Sequence, residues 1–184
     1  MSEQNHPVRA HSPEFALLGF LYQEPSHGYT LHHQLVNELG YIWHVSQSQT
    51  YAILKRLERQ GSISFTTLEQ EKLPPRQLLQ ITSAGRRRFQ VWLRAPSGSS
   101  VRAIRLEFIT RLYFAQKLFP RSLRTMFAAQ SAEIDTALAR LETTLAAIPP
   151  EQTYNRLGLE LRIRQLRSIE DWLIECRKLI GIKG

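Results

Sequence analysis

The chain has 184 residues, 42% of them hydrophobic, with 24 Lys and Arg against 16 Asp and Glu and a formal net charge of +8. That length and apolar content can supply one large core or two small ones, and the charge favours a polyanionic partner. The single cysteine, Cys176, excludes an intrachain disulfide and a multi-cysteine zinc site, and no apolar run reaches the roughly 18 to 20 residues of a membrane-crossing helix.

The opening Met1-Ser-Glu-Gln-Asn-His-Pro has no basic start followed by an apolar stretch, so a secretory signal is not expected and a cytoplasmic location is. Residues 14–22 read as a first helix carrying Phe15, Leu17, Leu18, Phe20 and Leu21. Pro25-Ser-His-Gly28 stops it and starts a second helix over 28–39, with Tyr29, Leu31, Leu35, Val36 and Leu39. A third helix begins after Ser46. Ile53, Leu54 and Leu57 form its apolar stripe, and Gly61 supplies a stop.

The first turn of that third helix offers Ser46, Gln47, Ser48, Gln49, Thr50 and Tyr51, hydrogen-bonding side chains without a charge. Lys55, Arg56 and Arg59 stand behind them. Such a helix suits a DNA major groove: short polar groups can meet base edges, and cations can reach phosphates. An ordinary capped surface helix has the same pattern. The next twenty residues of the chain favour the groove reading. Residues 62–68 alternate like a strand, 69–75 form a polar, Pro-containing turn, and 76–81 read as a second strand. Thr82 or Ser83 then caps a fourth helix. Helix, hairpin, helix is the order of a winged helix-turn-helix.

Residues 13–95 resemble the winged-helix domain of PadR-type transcriptional regulators. The resemblance rests on Phe15-Ala-Leu-Leu-Gly-Phe-Leu, Pro25-Ser-His-Gly-Tyr-Thr-Leu, Ser48-Gln-Thr-Tyr-Ala-Ile-Leu-Lys-Arg-Leu-Glu-Arg-Gln-Gly and Ile81-Thr-Ser-Ala-Gly-Arg, in that order. Thr50 stands where many members carry an aliphatic residue, and Ala52 where many carry proline. With Trp43 just upstream, the chain looks closer to the longer, AphA-like subgroup. The resemblance implies a DNA-binding regulator, a repressor, acting as a homodimer. Members with long C-terminal halves dimerise through them. Regulators of this kind can also sense aromatic or other apolar small molecules.

Pro96-Ser-Gly-Ser-Ser100 reads as a short flexible linker, between an N-terminal tail (1–12) with its DNA-binding domain (13–95) and a helical domain (101–184). Three helices are expected in the latter: 101–119; one from Pro120 to Ile148; and 151–180 beyond Pro149-Pro150. Leu138, Leu141 and Leu145 on the second helix, and Leu159, Ile163, Leu166, Ile169 and Leu173 on the third, recur at three- and four-residue spacing. These seams, with Phe108 and Leu112 on the strongly apolar first helix, predict an antiparallel, coiled-coil-like pair and a dimer contact. The expected fold is mainly α with a small β-hairpin wing.

DNA-contacting residues are therefore expected at Ser46, Gln47, Ser48, Gln49 and Thr50 in the groove, with Gln47 and Gln49 reading adenine. Tyr51, Lys55, Arg56, Lys72, Arg76 and Tyr29 are expected on phosphates, although a core role suits Tyr29 nearly as well. Glu69 and Glu71 beside the basic wing residues would repel the backbone, which leaves a protein–protein adaptor as the alternative. Phe108, Tyr113 and Phe114, with Trp92, could line an apolar effector pocket or form plain core. His6, His11, His27, His32, His33 and His44 lack ligand spacing, and no HExxH, phosphate loop or GxSxG elbow occurs. Neither catalysis, nor a cofactor, nor a metal is expected.

Overall fold

Four helices and a small sheet build the first of two units into which the chain divides, Met1–Leu93 and Arg94–Gly184. The structure, a computed structural model, describes residues 12–70 and 73–182. Helix α1 (Glu14–Gln23) is buried on every side from Glu14 to Leu21, which is why its apolar residues show no one-sided stripe. Around it pack α2 (Gly28–Leu39), burying Leu31, Leu35 and Leu39, and α3 (Gln47–Arg59), burying Ile53, Leu54 and Leu57. Gly61, at φ 66°, ends α3 in a left-handed turn: its N–H donates to Glu58 O at 2.8 Å and that of Ser62 to Leu57 O at 2.9 Å. These bonds satisfy carbonyls the helix end would otherwise strand.

Strands β2 (Ile63–Gln70) and β3 (Leu73–Ile81) form the hairpin, and a two-residue strand β1 (Ser26–His27), which the sequence pattern does not reveal, pairs with β3 on its other side. β3 begins earlier than the sequence indicates, taking in Pro74 and Pro75. Proline is tolerated there because β1 faces only Leu78 and Leu79, and the β2 ladder is irregular between Leu68 and Gln70. Thr82 caps α4 (Ser83–Arg94), its Oγ1 accepting the Gly85 N–H at 3.1 Å.

The second unit starts with α5 (Val101–Ala103), a π-helical turn over Ile104–Phe108, and α6 (Ile109–Leu118). Thr110 Oγ1 donates to Leu106 O at 2.6 Å beside the π turn. Pro120 opens a short 3-10 turn into α7 (Leu123–Ala147), and α8 (Thr153–Leu179) packs against α7. Arg156 closes the Pro149-Pro150 turn, its Nη1 donating to Leu145 O (3.2 Å) and Ile148 O (2.9 Å) at the C-terminus of α7, where a cation suits the helix dipole. Phe108 meets Phe127 and Trp172 edge-on, with ring centroids 5.4 and 6.1 Å apart.

The structure adds detail at two places in the C-terminal half. Within residues 96–100, Ser97 is buried: its N–H donates to Gln130 Oε1 (2.8 Å) and its carbonyl accepts from Gln130 Nε2 (3.1 Å). Arg111 Nη1 also donates to Ser97 Oγ at 2.6 Å. Desolvation lowers the Arg111 pKa to about 10, with Glu107 at 3.4 Å pulling it back up, so the guanidinium stays charged at neutral pH. The seam residues are the second place. Phe108, Leu112, Leu138, Leu141, Ile163, Leu166, Ile169 and Leu173 are buried within one chain, and Leu145 and Leu159 are half-buried. The pairing of α7 with α8 buries those on the two long helices, while Phe108 packs on Phe127 and Trp172.

Candidate nucleic-acid interface

The start of α3 is fixed by its own sequence. Ser46 Oγ accepts the Gln49 N–H at 3.2 Å, and Gln49 Oε1 accepts the Ser46 N–H at 2.8 Å, a reciprocal capping box. With the first turn held, the exposed side chains Gln47, Ser48, Tyr51, Ala52 and Lys55 share one face at one- and four-residue spacing, around an open groove of about 480 Å³. Ile53, Leu54 and Leu57 occupy the opposite face. The outward surface thus combines amide, hydroxyl, methyl and ammonium groups, the set that meets base edges, a thymine methyl and phosphate oxygens. Ala52 is the residue sequence reasoning missed, although its place one turn beyond Ser48 could have marked it.

Beside this face lies a cleft of about 590 Å³, lined by His27, Gly28, Tyr29, Tyr51, Lys55 and Gln77 among others. Gly28 lies close under Tyr51: a Cβ there would lie 2.8 Å from Tyr51 Cε1, so the exposed ring would have to shift. Tyr29 is exposed, its ring 4.3 Å from that of His33. His27 Nδ1 lies 2.9 Å from Gln77 O, tying the start of α2 to the hairpin. Tyr29, Tyr51 and Lys55 therefore surround one cleft that opens next to the outward face of α3.

Three expected contacts are placed differently. Thr50 is 0% exposed; its Oγ1 donates to Ser46 O at 3.2 Å and lies 3.0 Å from His32 Nδ1. It joins α3 to α2 and does not face the groove. Arg56 turns inward: its Nη2 donates to Glu14 Oε2 at 2.8 Å and to Ser12 Oγ at 3.1 Å. Gln49, also exposed, spends its amide oxygen on the helix cap, whereas Gln47 lines the open groove. Arg76 sits on β3 opposite Leu68, and Lys72 lies outside the described residues, as do Glu71, His6 and His11.

The arginine run at the start of α4 is divided between packing and solvent. Arg88 reaches Glu14 and Arg86 lies over the Tyr22 ring at 4.9 Å, while Arg86 and Arg87 are both exposed. The aromatic residues considered for an effector pocket are spent in packing. Trp92 stacks on Phe15 at 4.6 Å, Phe108 and Phe114 are fully buried, and Tyr113 carries the Lys117 ammonium at 4.3 Å from its centroid. Among the described residues no group of three or more His, Cys, Asp or Glu could hold a metal ion, and no helix is long and apolar enough to cross a membrane.

Three helices, an antiparallel hairpin and a capped third helix with a polar outward face define a winged helix-turn-helix domain, a DNA-binding class. Residues 17–91 match the family described as "Transcriptional regulator PadR-like family", and residues 104–181 match "Virulence activator alpha C-term". Residues 17–91 of the chain thus resemble the PadR-like family of transcriptional regulators. It is 28% identical over 131 residues to the negative transcriptional regulator PadR of Bacillus subtilis, covering 70% of each chain. It is 25% identical over 183 residues to the probable transcriptional regulator Rv1176c of Mycobacterium tuberculosis, covering 91% of this chain and 97% of that protein. The crystal structure of Bacillus subtilis PadR in complex with operator DNA aligns at 24% identity and a TM-score of 0.45, over 96% of this chain and all of that one.

Proposed function

We infer that this regulator is a homodimeric repressor whose residues 13–95 bind a pseudo-palindromic operator and whose residues 101–184 dimerise. The observation that carries the DNA reading is the outward face of α3: Gln47, Ser48, Tyr51, Ala52 and Lys55 on a helix pinned by its cap and its apolar seam. Gln47 reads a base, with adenine its best bidentate partner; Ser48 and Ala52 lie against the groove floor. Lys55, Tyr51 and Tyr29 hold phosphates. The repressor reading draws support from the Bacillus subtilis relative, named a negative regulator.

The dimer reading draws on α8. Tyr154, Leu157 and Leu161 are exposed at three- and four-residue spacing, a second apolar stripe left over after α7 is covered. Two-fold pairing would set two α3 helices about 34–36 Å apart, or a multiple of that, on one side of the duplex.

The test is fluorescence anisotropy with the duplex upstream of the protein's own gene and a scrambled control, over several salt concentrations. Affinity for the first about a thousandfold above the second, saturating at two subunits per site, is the expected result. Equal, steeply salt-sensitive affinity for both would reduce the interface to a basic surface. Absence of binding at low salt would favour a protein–protein adaptor.

A further inference from the structure

We propose that Glu14 is a positioning residue for DNA recognition: its buried carboxylate grips Arg56 of α3 and Arg88 of α4 and so fixes the rotation of the helix that reads the operator. The proposal rests on the reading of α3 as the DNA-contacting helix.

The Glu14 side chain is 3% exposed, at the first position of α1. Oε2 accepts from Arg56 Nη2 at 2.8 Å, and Oε1 accepts from Arg88 Nη2. The remaining donors of Arg88 are aimed at the end of the same helix: Nη1 donates to Gln60 Oε1 at 2.9 Å, the residue that closes α3, and to Ser62 Oγ at 3.2 Å, where the chain leaves for β2. The Arg88 guanidinium lies 5.2 Å from the centroid of Phe15, whose ring stacks on Trp92 of α4. One carboxylate therefore joins α1, α3 and α4, and one guanidinium joins the last turn of α3 to the start of the hairpin.

Such an arrangement is a poor way to gain stability. Removing three ionised groups from water costs much of what their attraction returns, and apolar side chains of similar volume commonly do as well. Directional, forked bonds do what Ile53, Leu54 and Leu57 cannot: they define the angle at which α3 is held, since aliphatic contacts tolerate small rotations. Arg56 lies one residue after Lys55, so it is turned about 100° from it around the helix. Rotation that freed Arg56 toward solvent would swing Gln47, Ser48 and Ala52 away from their orientation. It would also add an unspecific cation beside the DNA-facing surface.

Those consequences separate positioning from phosphate contact. The full-length protein and its Lys55→Gln, Arg56→Gln and Glu14→Gln variants are compared on the upstream and scrambled duplexes across a salt series, after circular dichroism and thermal melting. Lys55→Gln should weaken both affinities and flatten the salt slope by about one. Arg56→Gln should leave the slope unchanged while the upstream-to-scrambled ratio falls at least about tenfold. Glu14→Gln should lower the ratio similarly and steepen the slope on scrambled DNA by about one, as Arg56 is released.

Arg56→Gln behaving like Lys55→Gln would overturn the proposal, as would a ratio unchanged from the wild type in both triad variants. Unfolding of both triad variants at the assay temperature would make the triad a stability element alone and also overturn it. If only Glu14→Gln fails to fold, Arg56→Gln decides. A wild-type protein unable to distinguish the two duplexes removes the DNA reading and this proposal together, an outcome visible before any variant is tested.

Discussion

Helices α3 and α8 are built alike and differ in what they leave to solvent. Each buries an aliphatic seam, Ile53, Leu54 and Leu57 in one, Ile163, Leu166, Ile169 and Leu173 in the other. α3 then turns Gln47, Ser48, Tyr51, Ala52 and Lys55 outward, whereas α8 turns out Tyr154, Leu157 and Leu161. The seams explain why both are helices and where they pack. The outward faces differ in chemistry: hydrogen-bonding and small on α3, which suits a groove lined with polar edges; apolar over residues 154–161 of α8, which suits another apolar surface.

Breaking the seams should have the largest effect and should not distinguish the two helices. Leu57→Ala and Leu166→Ala are each expected to cost roughly 2–5 kcal/mol through lost burial and a residual cavity, read by urea denaturation. Cost well below 1 kcal/mol at either would mean that its seam is loosely packed. The outward faces should separate next. Leu157→Glu with Leu161→Glu is expected to leave the helical signal intact and weaken self-association at least about a hundredfold in sedimentation equilibrium, as two apolar anchors become charges. A dimer undisturbed by that pair would move the interface off this stripe.

Gln47→Ala should cost about 1–3 kcal/mol on the upstream duplex, relax one base position and leave self-association alone. Gln49→Ala should act mainly through the lost capping box. Ser46→Ala sharpens that point: about 1 kcal/mol of stability lost, with a lower melting temperature. The smallest effect is expected at Cys176, on the buried side of α8. Burial pushes its thiol pKa above the ordinary value, so at neutral pH the thiolate is scarce and modification by a thiol reagent should be slow until the chain is denatured. Rapid reaction of the native protein would place Cys176 on an accessible surface.

Local patterns were legible in the sequence and long-range partners were not. The stop at Gly61, the cap at Thr82 and the Pro149-Pro150 turn all depend on a few neighbouring residues, and their helices come from periodicity. Ser46 and Gln49 also carried a local signal, since Ser with Gln three residues later is a capping-box pattern. Thr50 and Arg56 could not be assigned in the same way. Their partners, His32 and Glu14, lie 18 and 42 residues away, and only tertiary packing reveals that this hydroxyl and this cation of α3 are turned inward. The C-terminal seams illustrate the same limit: heptad-like spacing identifies a helical contact, but α7 and α8 satisfy it within one chain.

Amide chemical-shift mapping of the full-length protein, titrated with the duplex upstream of its own gene, tests most directly whether α3 is the reading helix. The largest shifts should fall on Gln47, Ser48, Tyr51, Ala52 and Lys55 and on Tyr29 at the start of α2, with residues 154–161 unaffected. Shifts spread evenly over basic residues of both units, or an α3 that does not respond while the duplex is bound, would contradict it.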